Sequence, residues 1–262
     1  MVVPSTLCSN LYDFAFCPES CYDRLVDLAD PEDWGAGNRI LKNYLSFSFS
    51  RAVYLVGRDA DHAAPSSLPL VFDGERCLFN IGLYTRRYET IYALFEPNTR
   101  PDARQRWFLK GFFKESDPAL VAFEYLPCRV HFAEDPSQLV FDYRLPIRCN
   151  IDHILGDEEN LTRIPEALKG ETNSLLLRRA FEGAVVEAAR RAAANYTLAV
   201  PQFYAGRIQL LLPLCLTGDT PELALAVQRE DGFYSARTCL TLEMAYNNAR
   251  LICRPETSWI KR

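Results

Sequence analysis

"PLVFDGERCLFNIGLYTRRYETIYALFEPN", residues 69–98, consists of short apolar runs broken by Asp, Gly, Asn and Pro. Runs of this kind, bounded by turn formers, are strand signals. The texture continues through "RQRWFLKGFFK" (104–114), "ALVAFEYL" (119–126), "RVHFAE" (129–134), "QLVFDY" (138–143) and "IRCNIDHIL" (147–155). The spacing predicts a mostly antiparallel sheet over 69–153. On the N-terminal side, "ESCYDRLVDLA" (19–29) carries apolar residues at helical spacing, and the helical texture resumes at "ILKNYLSFSF" after a turn marked by Pro31 and two glycines. Residues 57–68, with His62 among them, are polar and Pro-rich and read as a solvated loop. On the C-terminal side, residues 156–172 are polar and Glu-rich, the best candidate for an internal break. "NSLLLRRAFEGAVVEAARRAAA" (173–194) predicts an amphipathic helix. "ELALAVQR" and "GFYSARTCLTL" flank a hairpin signal, Glu-Asp-Gly, and "EMAYNNARLI" predicts a last helix, stopped at Pro255. The expectation is a single α+β domain over 1–262, with a large mostly antiparallel sheet and helices packed on one face.

Composition narrows the function. The chain has 262 residues, 48% of them hydrophobic, and a net charge of −5. A whole-protein basic field is absent, so a nucleic-acid site would have to be a local patch. Nine cysteines leave one unpaired, and the closest two, Cys17 and Cys21, have no matching second pair. No metal is therefore expected, and thiols in runs such as "LPLCL" and "RLICRP" read as small buried hydrophobes. No run approaches the roughly 20 apolar residues that span a bilayer. A reduced, cytoplasmic protein with no membrane partner is expected. Cofactor and oligomeric state are left open. Phosphate-loop, dinucleotide, zinc-protease and nucleophile-elbow motifs are missing.

Four stretches carry polar residues in unexpected places. In the last helix, Glu243, Asn247 and Arg250 fall at i, i+4 and i+7 on one face, beside Tyr246. Asn248 falls with Met244, Leu251 and Ile252, facing the core, where an unpaired amide costs roughly 1–3 kcal/mol. In "NYTLAVPQFYAGRIQLLLPLCL" (195–216), Gln202 and Gln209 interrupt very apolar sequence near Tyr204. Amides there can read a base edge, hold a substrate or satisfy backbone. As an alternating strand, 103–114 puts Trp107 on one face and Arg106, Lys110 and Phe112 on the other, a combination suited to phosphates and stacked bases. At the end of "CNIDHIL", His153 is a candidate acid or base, although in a strand Asp152 would face away from it. Each stretch also has a purely structural reading, as an ion pair, a tethering amide or a solvated edge.

The order of "ILKNYLSFSFSR" (40–51), "LFNIGLYT" (78–85), "YALFEPN" (92–98), "IDHIL" (151–155), "NYTLAVPQFYAGRIQLLLPLCL" (195–216) and "LTLEMAYNNARLICRP" (240–255) resembles a family catalogued as domain of unknown function 3825. The chain departs from the family pattern at Glu243, where an aspartate is usual, and at Ile81, where a threonine is usual. The resemblance brings no activity. Family members can sit beside cold-shock or OST-HTH RNA-binding domains, and residues 1–40 are expected to form neither. The expectation is an RNA- or nucleotide-directed module, with phosphodiester or nucleotide processing as its enzymatic form. His153 and Glu243 would be catalytic, Gln202, Tyr204, Gln209, Asn247 and Arg250 would hold substrate, and Arg106, Trp107, Lys110 and Phe112 would hold nucleic acid. The rivals are a non-catalytic protein-interaction scaffold and an enzyme acting on a small metabolite in the same pocket.

Overall fold

The computed structural model describes residues 7–169 and 174–260. Asn173, where the long amphipathic helix was expected to start, and residues 170–172 of the candidate break lie outside the described residues. The fold is α+β, with mostly antiparallel strand pairing. The strands are shared between two five-stranded sheets rather than gathered in one large sheet. Each sheet belongs to its own compact unit, the first ending at Val130 and the second beginning at His131.

In the first unit a short helix α1 (Leu11–Phe14), a two-residue strand β1 (Ala15–Phe16) and helices α2 (Glu19–Leu28) and α3 (Arg39–Asp59) precede β2 (Leu70–Asp73), β3 (Arg76–Tyr84), β4 (Thr90–Pro97) and β5 (Trp107–Lys114). The sheet order is β1-β5-β4-β3-β2, and only the β1–β5 pair is parallel. Asn10 starts α1 by accepting from the backbone N–H of Tyr12 and Asp13. That cap aims Phe14 into an aromatic cluster. Its ring centroid lies 4.8 Å from Phe49 of α3, 5.4 Å from Phe95 of β4 and 5.6 Å from Trp107 of β5. Phe49 meets Phe79 of β3 edge-on at 5.5 Å. One side of the sheet is thus sealed by helices. On the other side Leu78, Tyr92 and Leu94 meet Leu120 and Phe123. Burial on both sides explains why β3 reads as a continuous apolar run instead of an alternating one.

The runs at 119–126, 129–134 and 138–143, expected as strands, form 3-10 turns and irregular chain. The reason is local. Asp117 and Asp135 each precede a proline and accept a backbone N–H two residues on, which starts a 3-10 turn in place of a strand. Leu120 and Phe123 then cover the sheet of the first unit without pairing with it. Asn80 holds this cover: its Nδ2 donates to Pro127 O, and its Oδ1 accepts from Gly82 N.

In the second unit β6 (Ile147–Cys149) is followed by α4 (Ile151–Gly156), α5 (Glu158–Arg163) and α6 (Ser174–Ala194). Then come β7 (Val200–Tyr204), β8 (Arg207–Leu214), β9 (Leu223–Arg229), β10 (Tyr234–Thr241) and α7 (Leu242–Arg250). The sheet order is β6-β10-β9-β8-β7, with only β6–β10 parallel. The Glu-rich stretch after 156 carries α5 and a 3-10 turn at Glu166–Leu168. On α6 the buried residues Leu177, Phe181, Ala184, Val185, Ala188 and Ala192 follow the helical period and pack toward β8. Among the described residues no helix is long and apolar enough to cross a membrane.

The cysteines are free, and burial varies. Cys21, Cys77 and Cys239 are buried, but Cys8 and Cys253 are exposed, so "RLICRP" does not shut its thiol away. Burial pushes the Cys17 thiol up to about 12 and those of Cys149 and Cys239 up to about 11. Native-state alkylation near neutral pH should therefore label Cys8 and Cys253 first, as read by peptide mass mapping. Equal labelling of Cys17 would contradict the burial described.

Gly82 sits at φ 71° against α3, where Tyr44 Oη donates to Ile81 O at 2.7 Å. A Cβ on Gly82 would stand 2.7 Å from that hydroxyl. Gly82→Ala should lower stability by roughly 1–3 kcal/mol through left-handed backbone strain, and displacing Tyr44 would add to this. An unchanged denaturant midpoint would refute it.

Candidate functional site

Gln202 lies in β7, where neighbouring Val200 is buried, and it is 1% exposed itself. An amide so placed must be satisfied by protein. Gln202 Nε2 donates to Gln209 Oε1 at 2.8 Å, directly across the β7–β8 pair. Gln209 Nε2 in turn donates to Gln228 Oε1 of β9 at 3.4 Å. From above the sheet, Asn248 Nδ2 of α7 donates to Gln202 Oε1 at 3.0 Å. Four carboxamides thus form one directional chain, each passing a donor to the next.

Register extends this row across the whole sheet. Gln228 stands opposite Ser235 of β10, and Ser235 opposite Arg148 of β6. With strands about 4.8 Å apart, the row from Gln202 to Arg148 spans roughly 19 Å. Ser235 Oγ donates to Glu230 Oε1 at 3.1 Å, and the Arg148 guanidinium lies 4.1 Å from the Phe233 ring centroid. Two residues further along β7, on the face that carries Gln202, comes Tyr204, 59% exposed, with exposed Arg207 as its cross-strand partner. Ala205 at φ 48° and Gly206 at φ 80° make the tight turn that joins them. The row is therefore buried at its α7 end and opens toward solvent at Gln209, Gln228, Ser235 and Arg148.

On α7, Thr241 caps the helix by accepting from Met244 N, and the helix lies chiefly against β7. The two asparagines part as the helical period requires. Asn248 reaches Gln202, whereas Asn247 has a buried Oδ1 without a hydrogen-bond partner among the described residues. Asn248 was expected to bond backbone, and it bonds a side chain instead. Arg250 is 5% exposed at the end of the helix, and Glu243 is exposed in its first turn.

The other expected site residues lie elsewhere. His153 is not at a strand end. Asn150 Oδ1 accepts from His153 N and starts α4, where the imidazole is exposed and Asp152 pairs with Arg178 of α6. Among the described residues no hydrogen bond joins His153 to the amide chain. In β5, Trp107 is 6% exposed and stacks on Phe14, with Arg106 5.9 Å from its ring centroid. Phe112 lines the same apolar cavity as Leu109 and Tyr22. The Trp107 ring is thus closed off from solvent, and Phe112 is half-buried against that cavity. The cause is a bulge: pairing slips between Leu94 and Phe95, which leaves Lys110 as an extra residue and resets the alternation. Lys110 pairs with Glu96 across the strand.

Sequence reasoning missed Gln228, Ser235 and Arg148. Gln228 ends an apolar run much as Gln209 begins one, but only the pairing register aligns them. A separate cavity of about 380 Å³ between α5 and α6 is lined by Leu155, Leu161, Ile164, Leu168 and Leu177, with Lys169 and Ser174. Among the described residues no group of three or more His, Cys, Asp or Glu side chains could hold a metal ion.

A family model described as "Domain of unknown function (DUF3825)" matches residues 25–259. The chain belongs to this family. The match takes in both compact units, and within it lie the amide row and α7. No curated protein and no solved structure matches the chain.

Asn248→Ala should cost roughly 1–3 kcal/mol, because it strands the buried Oε1 of Gln202. Asn247→Ala removes an acceptor that has no partner and should leave stability within about 0.5 kcal/mol of the parent. Urea melts of the two single variants give the comparison, and the opposite ranking would break this account of α7.

Proposed function

We propose that this protein binds a nucleotide, or a short segment of RNA, along the open part of the amide row in its second unit. The observation that carries the reading is the row itself: five neighbouring strands each place a hydrogen-bonding side chain in one register line. Packing an apolar sheet calls for no such line. Carboxamides offer both a donor and an acceptor, which suits the polar edge of a base. Their chain fixes the direction in which each amide points, so the row is set before a ligand arrives.

The flanking residues supply the rest of the chemistry. Tyr204 offers a ring for stacking, while Arg207 and Arg148 offer guanidinium groups to a phosphate. Gln202 and Asn248 hold the geometry of the row, and Gln209 and Gln228 meet the ligand. Binding is supported better than turnover, because His153 stands exposed on α4 with no hydrogen bond to the row.

Isothermal titration with each nucleoside monophosphate, with and without a divalent metal, tests this directly. Saturable binding is expected, weakened about tenfold or more by Gln228→Leu and by Arg148→Ala, each of which removes one polar contact. Parent protein that binds no nucleotide, or variants that bind as the parent does, would leave the row as a structural tether of α7 to the sheet.

A further inference from the structure

The β3–β4 connection of the first unit is held unusually firmly for an exposed tip. Thr85 N donates to Glu89 O at 2.9 Å, and Tyr88 N donates to Thr85 O at 2.9 Å. The Thr85 hydroxyl accepts from the N–H groups of Arg87 and Glu89. Outside the turn, Asp30 N donates to Tyr84 O, and Ala29 bridges to Thr85. Glu89, the acid of the loop, is turned away and bound to Lys114 and Ser116 of the neighbouring strand and turn.

What remains on the tip is Arg86, Arg87 and Tyr88. Both arginines are exposed, and among the described residues neither guanidinium makes a hydrogen bond or an ion pair. Tyr88 is 84% exposed and has φ 60°, in the left-handed region that a bulky side chain rarely adopts. Glycine would take this backbone without strain, and a small polar residue would not set an aromatic ring in water. A firmly pinned turn therefore displays two unpaired cations and one ring, at some expense in backbone energy.

We infer that this tip is a contact for single-stranded nucleic acid, separate from the nucleotide row of the second unit. The two guanidinium groups meet successive phosphates, and the Tyr88 ring stacks on an unpaired base. An acidic peptide would use the cations but would give the ring no stacking partner. A duplex would keep its bases inside the stack, out of reach of the ring. The chain as a whole carries a net charge of −5, so attraction of a polyanion has to be local, as it is here. The inference rests on Arg86, Arg87 and Tyr88 and stands whether or not the row takes a nucleotide.

Fluorescence anisotropy of the full chain with a labelled twelve-nucleotide oligouridylate, over a series of salt concentrations, is the test. The Arg86→Ala/Arg87→Ala variant should lower the slope of log affinity against log salt by about 1.4, at about 0.7 per phosphate contact on a single strand. Tyr88→Gly should weaken binding by about tenfold, in the range of a lost base stack. The same substitution should raise the thermal midpoint, because it relieves the left-handed tyrosine. Tyr88→Phe should bind as the parent does. The inference is overturned if the parent does not bind the oligonucleotide, if Tyr88→Gly binds as the parent, or if an oligoglutamate competes equally well. Arg148→Ala and Gln228→Leu, run in the same series, separate the two sites. Loss in those variants alone would sink the tip and spare the row, and loss in the tip variants alone would do the reverse.

Discussion

A carboxamide shut away from water has to find its hydrogen bonds inside the protein, and much of this structure is arranged around that requirement. In the second unit Gln202 sets the terms. Its two ends fix Gln209 on the neighbouring strand and Asn248 on α7, so sheet and helix are held by one side chain. In the first unit Asn80 does similar work, clamping the irregular cover at Pro127 and the backbone of Gly82. Each amide sits in sequence that is otherwise apolar. An apolar residue at either place would still bury surface but would specify neither partner. The net gain from each hydrogen bond is modest, about 1 kcal/mol, whereas an unsatisfied partner loses more. That asymmetry favours a single arrangement over near alternatives.

The aromatic cluster of the first unit is the nonspecific counterpart of these amides. Phe14, Phe49, Phe79, Phe95 and Trp107 come from one short helix, one long helix and three strands. Their burial supplies driving force without much direction. Direction comes from the bulge at Lys110, which turns Phe112 inward and leaves Phe113 to the opposite cluster. The same bulge removes the stacking face that strict alternation promises. Among the described residues of this unit the aromatic ring most open to solvent is Tyr88, in a turn and not in a strand.

The two units therefore offer different kinds of surface. The second carries a preset row of neutral donors and acceptors, flanked by Tyr204, Arg207 and Arg148, suited to discrimination. The first carries a small, strongly charged tip suited to attraction. Neither depends on the thiols, which burial keeps protonated at Cys17, Cys149 and Cys239.

By itself the sequence determined the α+β class, the helical reading of 174–194 and of the last helix, the Glu-Asp-Gly hairpin and the separation of Asn247 from Asn248. These follow from periods of 3.6 and 2 and from turn chemistry, all local properties of the chain. It also marked Gln202 and Gln209 as anomalies, because a polar residue in an apolar run is visible without coordinates. Only the tertiary structure decided that the strands divide into two sheets and that 119–126 covers the first of them instead of pairing. It also decided that His153 lies in the first turn of a helix and that Gln228, Ser235 and Arg148 complete a row with the two glutamines. Register is a relation between distant segments, and a bulge of one residue reverses which face a side chain takes, so neither can be read along a single strand.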